Sequence, residues 1–151
     1  MNTRSKIAFW CYLVAMAPQA AWGVMFALRG EFMPYHAGAV GMQWAAIPGP
    51  LQVLILGFMK LIGIAWLTSA VGVLVLLLVP FREGARWARW AVPFLALLHY
   101  AGVINAMIYV TQRTPAAPPW VPTLAGLAFV VLGAMLSIQG FRKARGGLAG
   151  A

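Results

Sequence analysis

Four long apolar runs constrain this chain more than any other feature. They cover residues 7–28, 51–79, 90–111 and 120–141. Each is long enough to cross a hydrocarbon core of ~30 Å as an α-helix rising ~1.5 Å per residue. The second exceeds one crossing, so it tilts or projects. The runs are unbroken rather than alternating in ten-residue segments, which excludes a membrane β-barrel. Only helices and closed barrels satisfy every backbone N–H and C=O in lipid. The expected fold class is therefore all-α: a single transmembrane domain, residues 1–151, built as an integral membrane four-helix bundle. With 63% hydrophobic and 9% charged residues, against roughly 25% charged in soluble domains, the chain has too little polar surface to cover itself in water.

The few charges define a sidedness. Arg4 and Lys6 precede the first run, Arg82, Arg86 and Arg89 lie between the second and third, and Arg142, Lys143 and Arg145 follow the fourth. An even number of crossings puts all eight on one side, with only Arg29 and Arg113 opposite and Lys60 inside the second run. The positive-inside rule places that side, and both termini, in the cytoplasm. It also accounts for the net charge of +9 without nucleic acid as a partner. The first run outlasts a signal-peptide apolar segment and reads as a retained helix.

The connections differ in character. Residues 80–89 form a tight inner turn, and 112–119 a proline-rich outer link. Residues 29–50 are too long for a turn and stay apolar and aromatic, with Phe32, Tyr35 and Trp44. They are expected to form a short apolar extracytoplasmic cap, with a small helix over 37–47. Gly126, Gly133 and Gly140 recur every seven residues and so share a helix face. Ala65 and Ser69, and Ala17 and Ala21, make similar small pairs. Such faces let helices approach closely, within one chain or in a homo-oligomer.

Polar side chains inside apolar runs are the candidate functional groups, because hydrocarbon penalises them unless they are paired. Counted from the inner helix ends, His99 lies ~14 Å deep, Gln19 ~18 Å, and Thr68 and Ser69 ~16–18 Å. They are expected to face one another in a polar layer. His99 is either a haem or metal ligand or proton carrier, or a neutral histidine bonded to Gln19 or Ser69. Lys60 lies ~30 Å from the inner end, where it either snorkels to the outer interface or anchors an anionic or carbonyl-bearing ligand. Asn105, ~22 Å deep, and Tyr109, one turn on, reach a similar level. Glu31 is the only outer carboxylate and a candidate partner for Lys60. With His36, a second and weaker metal candidate, these residues form the expected ligand mouth: Lys60, Asn105, Tyr109, Glu31 and His36.

Several chemistries lack their residues. There is no HExxH, CxxC, P-loop or dinucleotide fingerprint. No aspartate occurs, and Glu31 and Glu83 fall on opposite sides, so no carboxylate pair exists for acid–base work. Cys11, the single cysteine, cannot support dithiol chemistry and reads as a small buried residue.

The turn Pro80-Phe81-Arg82-x-Gly84-x-Arg86-Trp87-Ala88 resembles one found in uncharacterised small four-helix bacterial membrane proteins, loosely similar to the DoxX-like group. The resemblance implies the four-helix fold and a bacterial inner membrane, and carries no activity or site residues. The expected function is a lipid- or quinone-type ligand-binding protein or an accessory membrane subunit. Two alternatives stay open: a small membrane enzyme with haem or metal at a histidine, and an oligomeric transporter or channel. Membrane lipid, a second copy or a partner membrane subunit are the expected partners.

Overall fold

A computed structural model describes residues 1–146, with side-chain surroundings through Ile138. The described residues are helical throughout apart from short connections. Helix α1 spans Thr3–Leu28. It starts before the apolar run because the Asn2 side chain accepts a hydrogen bond from the Ser5 N–H at 2.8 Å, satisfying one of the free donors of the first turn. It ends where Arg29 turns extended and returns its N–H to the Met25 carbonyl. Pro18 lies inside it on an exposed face, a placement that membrane helices tolerate better than soluble ones.

The connection from α1 contains a short helix α2, Pro34–Val40, and one 3-10 turn, Trp44–Ala46. The helix expected over 37–47 therefore begins earlier and stops sooner. Pro34 at its first position is pre-organised for a helix start. Gly41, with φ +74°, takes the left-handed conformation that ends it.

Helix α3, Gly49–Leu76, runs on into a wide π-helical turn, Leu77–Phe81, that contains Pro80. Pro80 has no N–H to donate and its ring would crowd the carbonyl four residues back, a conflict that a wider turn relieves. Gly84, with φ +85°, then reverses the chain, closed by Ala85 N–H to Pro80 O at 2.9 Å. Helices α4, Ala88–Arg113, and α5, Trp120–Gly146, complete the fold. All four long helices, α3 taken together with its π-helical turn, exceed the expected spans of 7–28, 51–79, 90–111 and 120–141. Hydropathy marks a lipid-matched length, whereas helical hydrogen bonding continues until a cap or breaker stops it. Thr3–Leu28, Gly49–Phe81, Ala88–Arg113 and Trp120–Ile138 are each long and apolar enough to cross a membrane.

Helix α1 packs between α3 and α5, and α4 touches both of those helices. Their shared core holds Tyr12 and Met16 from α1, Val73, Leu77 and Phe81 from the α3 end, Val92 and Tyr100 from α4, and Val130 from α5. Large apolar side chains also point outward, among them Val53, Leu61, Phe94 and Val121. That two-sided apolarity suits a lipid solvent.

Glycines set the spacing. A Cβ on Gly63 would lie 2.7 Å from the Gly23 carbonyl oxygen, and one on Gly23 would lie 2.7 Å from the Leu67 nitrogen. Helices α1 and α3 therefore meet backbone to backbone. On α5, Gly133 faces the Tyr12 ring and Gly126 the Tyr100 ring, so this glycine face serves contacts within the chain. Gly140 lies outside the described side-chain surroundings. Ala17, Ala21 and Ala65 are exposed instead, and Ser69 is only half-buried. Small size permits close approach but does not choose the face; the larger side chains on each helix decide which side turns inward.

Candidate functional site

A second cluster joins the α1–α3 connection to the helix ends beneath it: Phe26 from α1, Phe32, Met33 and Ile47 from the connection, and Met59 from α3, with Trp22, Trp44 and Trp66 at its edge. Gln52 on α3 ties the connection down. Its Nε2 donates to the carbonyls of Trp44, at 3.0 Å, and Ile47, at 3.1 Å.

Between the connection and α3 lies an open groove with a volume of about 250 Å³. Phe26, Phe32, His36, Ala39, Val40, Ile55, Phe58, Met59 and Ile62 line it. Apart from the weakly polar Met59 thioether, His36 brings the only hydrogen-bonding side chain to this wall. Its ring meets Phe26 and Phe32 edge-on, each at 6.1 Å, and Tyr35 at 4.4 Å.

His36 Nδ1 accepts the Met33 N–H at 3.3 Å. This is the return arm of a capping box, and it fixes the imidazole from the first turn of α2. An accepting Nδ1 carries no proton, so the neutral ring holds its proton on Nε2. Burial lowers the His36 pKa below its ordinary 6.5, keeping the ring neutral at pH 7. Burial also pushes the neighbouring Tyr35 phenol up to about 12, so it stays protonated. The groove is thus an apolar slot beside one neutral donor, with no fixed charge on its lining.

The other expected site residues are placed elsewhere. The Glu31–Lys60 ion pair does not form. Glu31 pairs with Arg29 at 3.2 Å on the surface, where such a pair contributes little. Lys60 Nζ donates to the Ala27 carbonyl at 3.1 Å. The last carbonyls of a helix have no partner within it and carry its negative dipole end, so Lys60 caps α1 from α3. Asn105 and Tyr109 lie on an exposed face of α4, with the Arg113 guanidinium 4.0 Å above the Tyr109 ring. Among the described residues, no hydrogen bond, ion pair or ring contact joins any two of Lys60, Asn105, Tyr109, Glu31 and His36. Of the five, only His36 lines the groove.

The polar layer is likewise incomplete. Gln19 is buried, but Thr68 is exposed and Ser69 half-buried. His99 packs between the rings of Trp66, at 6.1 Å, and Tyr100, at 5.8 Å. Its buried Nε2 has no hydrogen-bond partner among the described residues, so the expected bond to Gln19 or Ser69 is not made. Depth follows from residue count, but azimuth turns by ~100° per residue, and equal depth does not make two side chains meet. The described residues also bring no three of His, Cys, Asp and Glu together, so neither His36 nor His99 has the companions of a metal centre.

Besides Lys60, the side chains that link long helices by hydrogen bonds among the described residues are those of two tyrosines and Ser137. The Tyr12 hydroxyl and Ser137 Oγ share a hydrogen bond at 3.3 Å between α1 and α5. The Tyr100 hydroxyl donates to the Ala15 carbonyl at 3.0 Å, joining α4 to α1. Both tyrosines are buried. The sequence held a signal for each: a tyrosine within an apolar run must find a partner for its hydroxyl. Gln52, Gly23 and Gly63 were equally visible as a polar residue and two glycines in apolar runs, but their partners were not.

Neither family profiles, curated proteins nor solved structures yield a match to the chain.

Proposed function

We propose that this chain is a multi-pass protein of the bacterial inner membrane that holds a lipid- or quinone-type ligand in the groove beside α2. In this reading the four long helices form a bundle, both termini are cytoplasmic, and residues 29–50 are its outer cap. Support for the sidedness comes from the eight Lys and Arg residues that an even number of crossings gathers on one side.

One observation carries the ligand reading: the groove is apolar, uncharged, and served by a single neutral imidazole donor. Such a slot favours a hydrophobic molecule that presents a carbonyl or similar acceptor oxygen to His36 Nε2–H. A charged headgroup would find no counter-charge on the lining. The three phenylalanines and Met59 suit a planar ring or an acyl chain.

Native mass spectrometry from a mild detergent tests this, with a short-chain quinone and a diacyl phospholipid added separately to delipidated protein. One molecule bound per chain, lost in Ala39→Trp and weakened in His36→Ala, is the expected result. Wild-type protein that takes up neither probe would overturn the ligand reading. The orientation is checked by labelling Arg4→Cys and Arg86→Cys in a Cys11→Ala background, where reaction is expected only after the cells are permeabilised.

A further inference from the structure

Helix α4 presents a seam that the other described residues do not cover. Leu98, Gly102, Asn105, Tyr109 and Gln112 are all exposed, and their spacing of four, three, four and three residues is a heptad pattern. A Cβ built on Gly102 would meet nothing within 4 Å. No hydrogen bond among the described residues engages the Asn105 or Gln112 side chains.

Asn105 is the telling residue. It stands eight positions before Arg113, so ~12 Å along the helix from that charged end. If α4 crosses the bilayer, the amide sits within hydrocarbon and faces away from its own chain. A donor and an acceptor without partners there are costly. Three nearby polar residues escape this difficulty. Thr111 and Thr114 return their hydroxyls to the Met107 and Val110 carbonyls, and Arg113 folds over Tyr109.

We infer that the exposed face of α4 is the contact between two copies of this chain, closed by Asn105 bonding Asn105 of the second copy. The inference rests on the membrane reading above, and not on the ligand. Copies inserted in the same orientation hold Asn105 at the same depth. A two-fold axis along the membrane normal therefore brings like residue to like. A carboxamide is both donor and acceptor, so it is complementary to itself. Gly102, one turn earlier on the seam, lets the backbones approach, and the heptad spacing keeps the seam facing its partner over several turns. A single asparagine at such a position sets register and pairing.

The test uses full-length protein in lipid nanodiscs and native membranes. Wild type is expected to be dimeric by native mass spectrometry. Asn105→Cys in a Cys11→Ala background should crosslink to a dimer under mild oxidation, while Thr68→Cys, exposed on α3, should not. Asn105→Leu should weaken self-association roughly three- to thirty-fold, with Asn105→Gln retaining more of it. Unchanged elution and far-UV circular dichroism would show that the leucine variant still folds. A monomeric wild type, a dimer that crosslinks at position 68 but not 105, or a complex with a different protein at α4 would each overturn the proposal. Carbonate extraction separates the two failures: a monomer that stays in the membrane refutes the seam alone, and release from the membrane refutes the membrane reading.

Discussion

Replacing Gly63 by alanine isolates the closest contact in the fold. The new Cβ would lie 2.5 Å from the Ala27 nitrogen, 2.7 Å from the Gly23 oxygen and 3.0 Å from the Phe26 carbonyl carbon. All three are backbone atoms, so no side chain can rotate away. Restoring ordinary contact requires α1 and α3 to separate locally by roughly 1 Å. Overpacking of this kind costs about 1–3 kcal/mol, and the upper half of that range applies where only backbone can move. Alanine returns up to ~1 kcal/mol through its better helix propensity. The expected net loss is therefore about 1–2 kcal/mol. Gly72→Ala on the same helix is the control, because a Cβ there meets nothing within 4 Å and only the propensity gain remains. Reversible unfolding in mixed detergent–SDS micelles, followed by far-UV circular dichroism, measures both variants. Gly63→Ala should shift the midpoint to lower SDS and Gly72→Ala should leave it unchanged or raise it. Equal midpoints would refute the argument that backbone contact between α1 and α3 sets the fold.

Lys60→Met should lower stability by roughly 0.3–1 kcal/mol in the same assay, the usual range for a cation at a helix C-terminus, and leave ligand uptake in the groove unchanged. Tyr12→Phe and Ser137→Ala, alone and together, form a double-mutant cycle with an expected coupling of about 0.6 kcal/mol, the average for interhelical hydrogen bonds in membranes; zero coupling would show that the 3.3 Å contact adds nothing. The pH dependence of His36 has a definite sign. Its folded pKa is depressed below 6.5 by burial, so the unfolded state binds the proton first as pH falls. Stability is full above 6.5, decreases as pH drops through the folded pKa, and levels off below it. Protection of the Met33 and His36 amides, measured against their intrinsic exchange rates, should fall over that window, and His36→Ala should remove its share of the dependence.

Much of the fold was legible because lipid imposes a simple demand. A run of some twenty apolar residues in hydrocarbon has to close its own hydrogen bonds, so the number and kind of the long helices follow from the sequence. The turn expected over residues 80–89 is narrower than that span: Pro80 is absorbed in the π-helical turn, the helix continues to residue 83, and Gly84 makes the reversal. Gly126 and Gly133 on α5 do meet neighbouring helices, at the Tyr100 and Tyr12 rings, since the absence of a side chain has meaning wherever helices touch.

The candidate site was legible only in its inventory. His36, Lys60, Asn105 and His99 were each recognisable as polar groups in an apolar setting, and the positions of Lys60, Asn105 and His99 along their helices followed from counting residues. Which way each one turned did not. Along a helix that is apolar on all sides, hydropathy carries no azimuthal signal, so nothing local distinguishes the core-facing stripe from the outward-facing one. Tertiary packing made that choice. The Gly23–Gly63 crossing and the two tyrosine bonds orient the helices, sending Lys60 to the end of α1, leaving Asn105 on the outside of α4, and bringing His36 alone to the groove. Four long apolar helices follow from the local sequence alone, because that outcome depends on the energy of burying backbone polar groups one segment at a time. Where the chemistry sits depends on contacts between segments distant in the chain, which no single segment encodes.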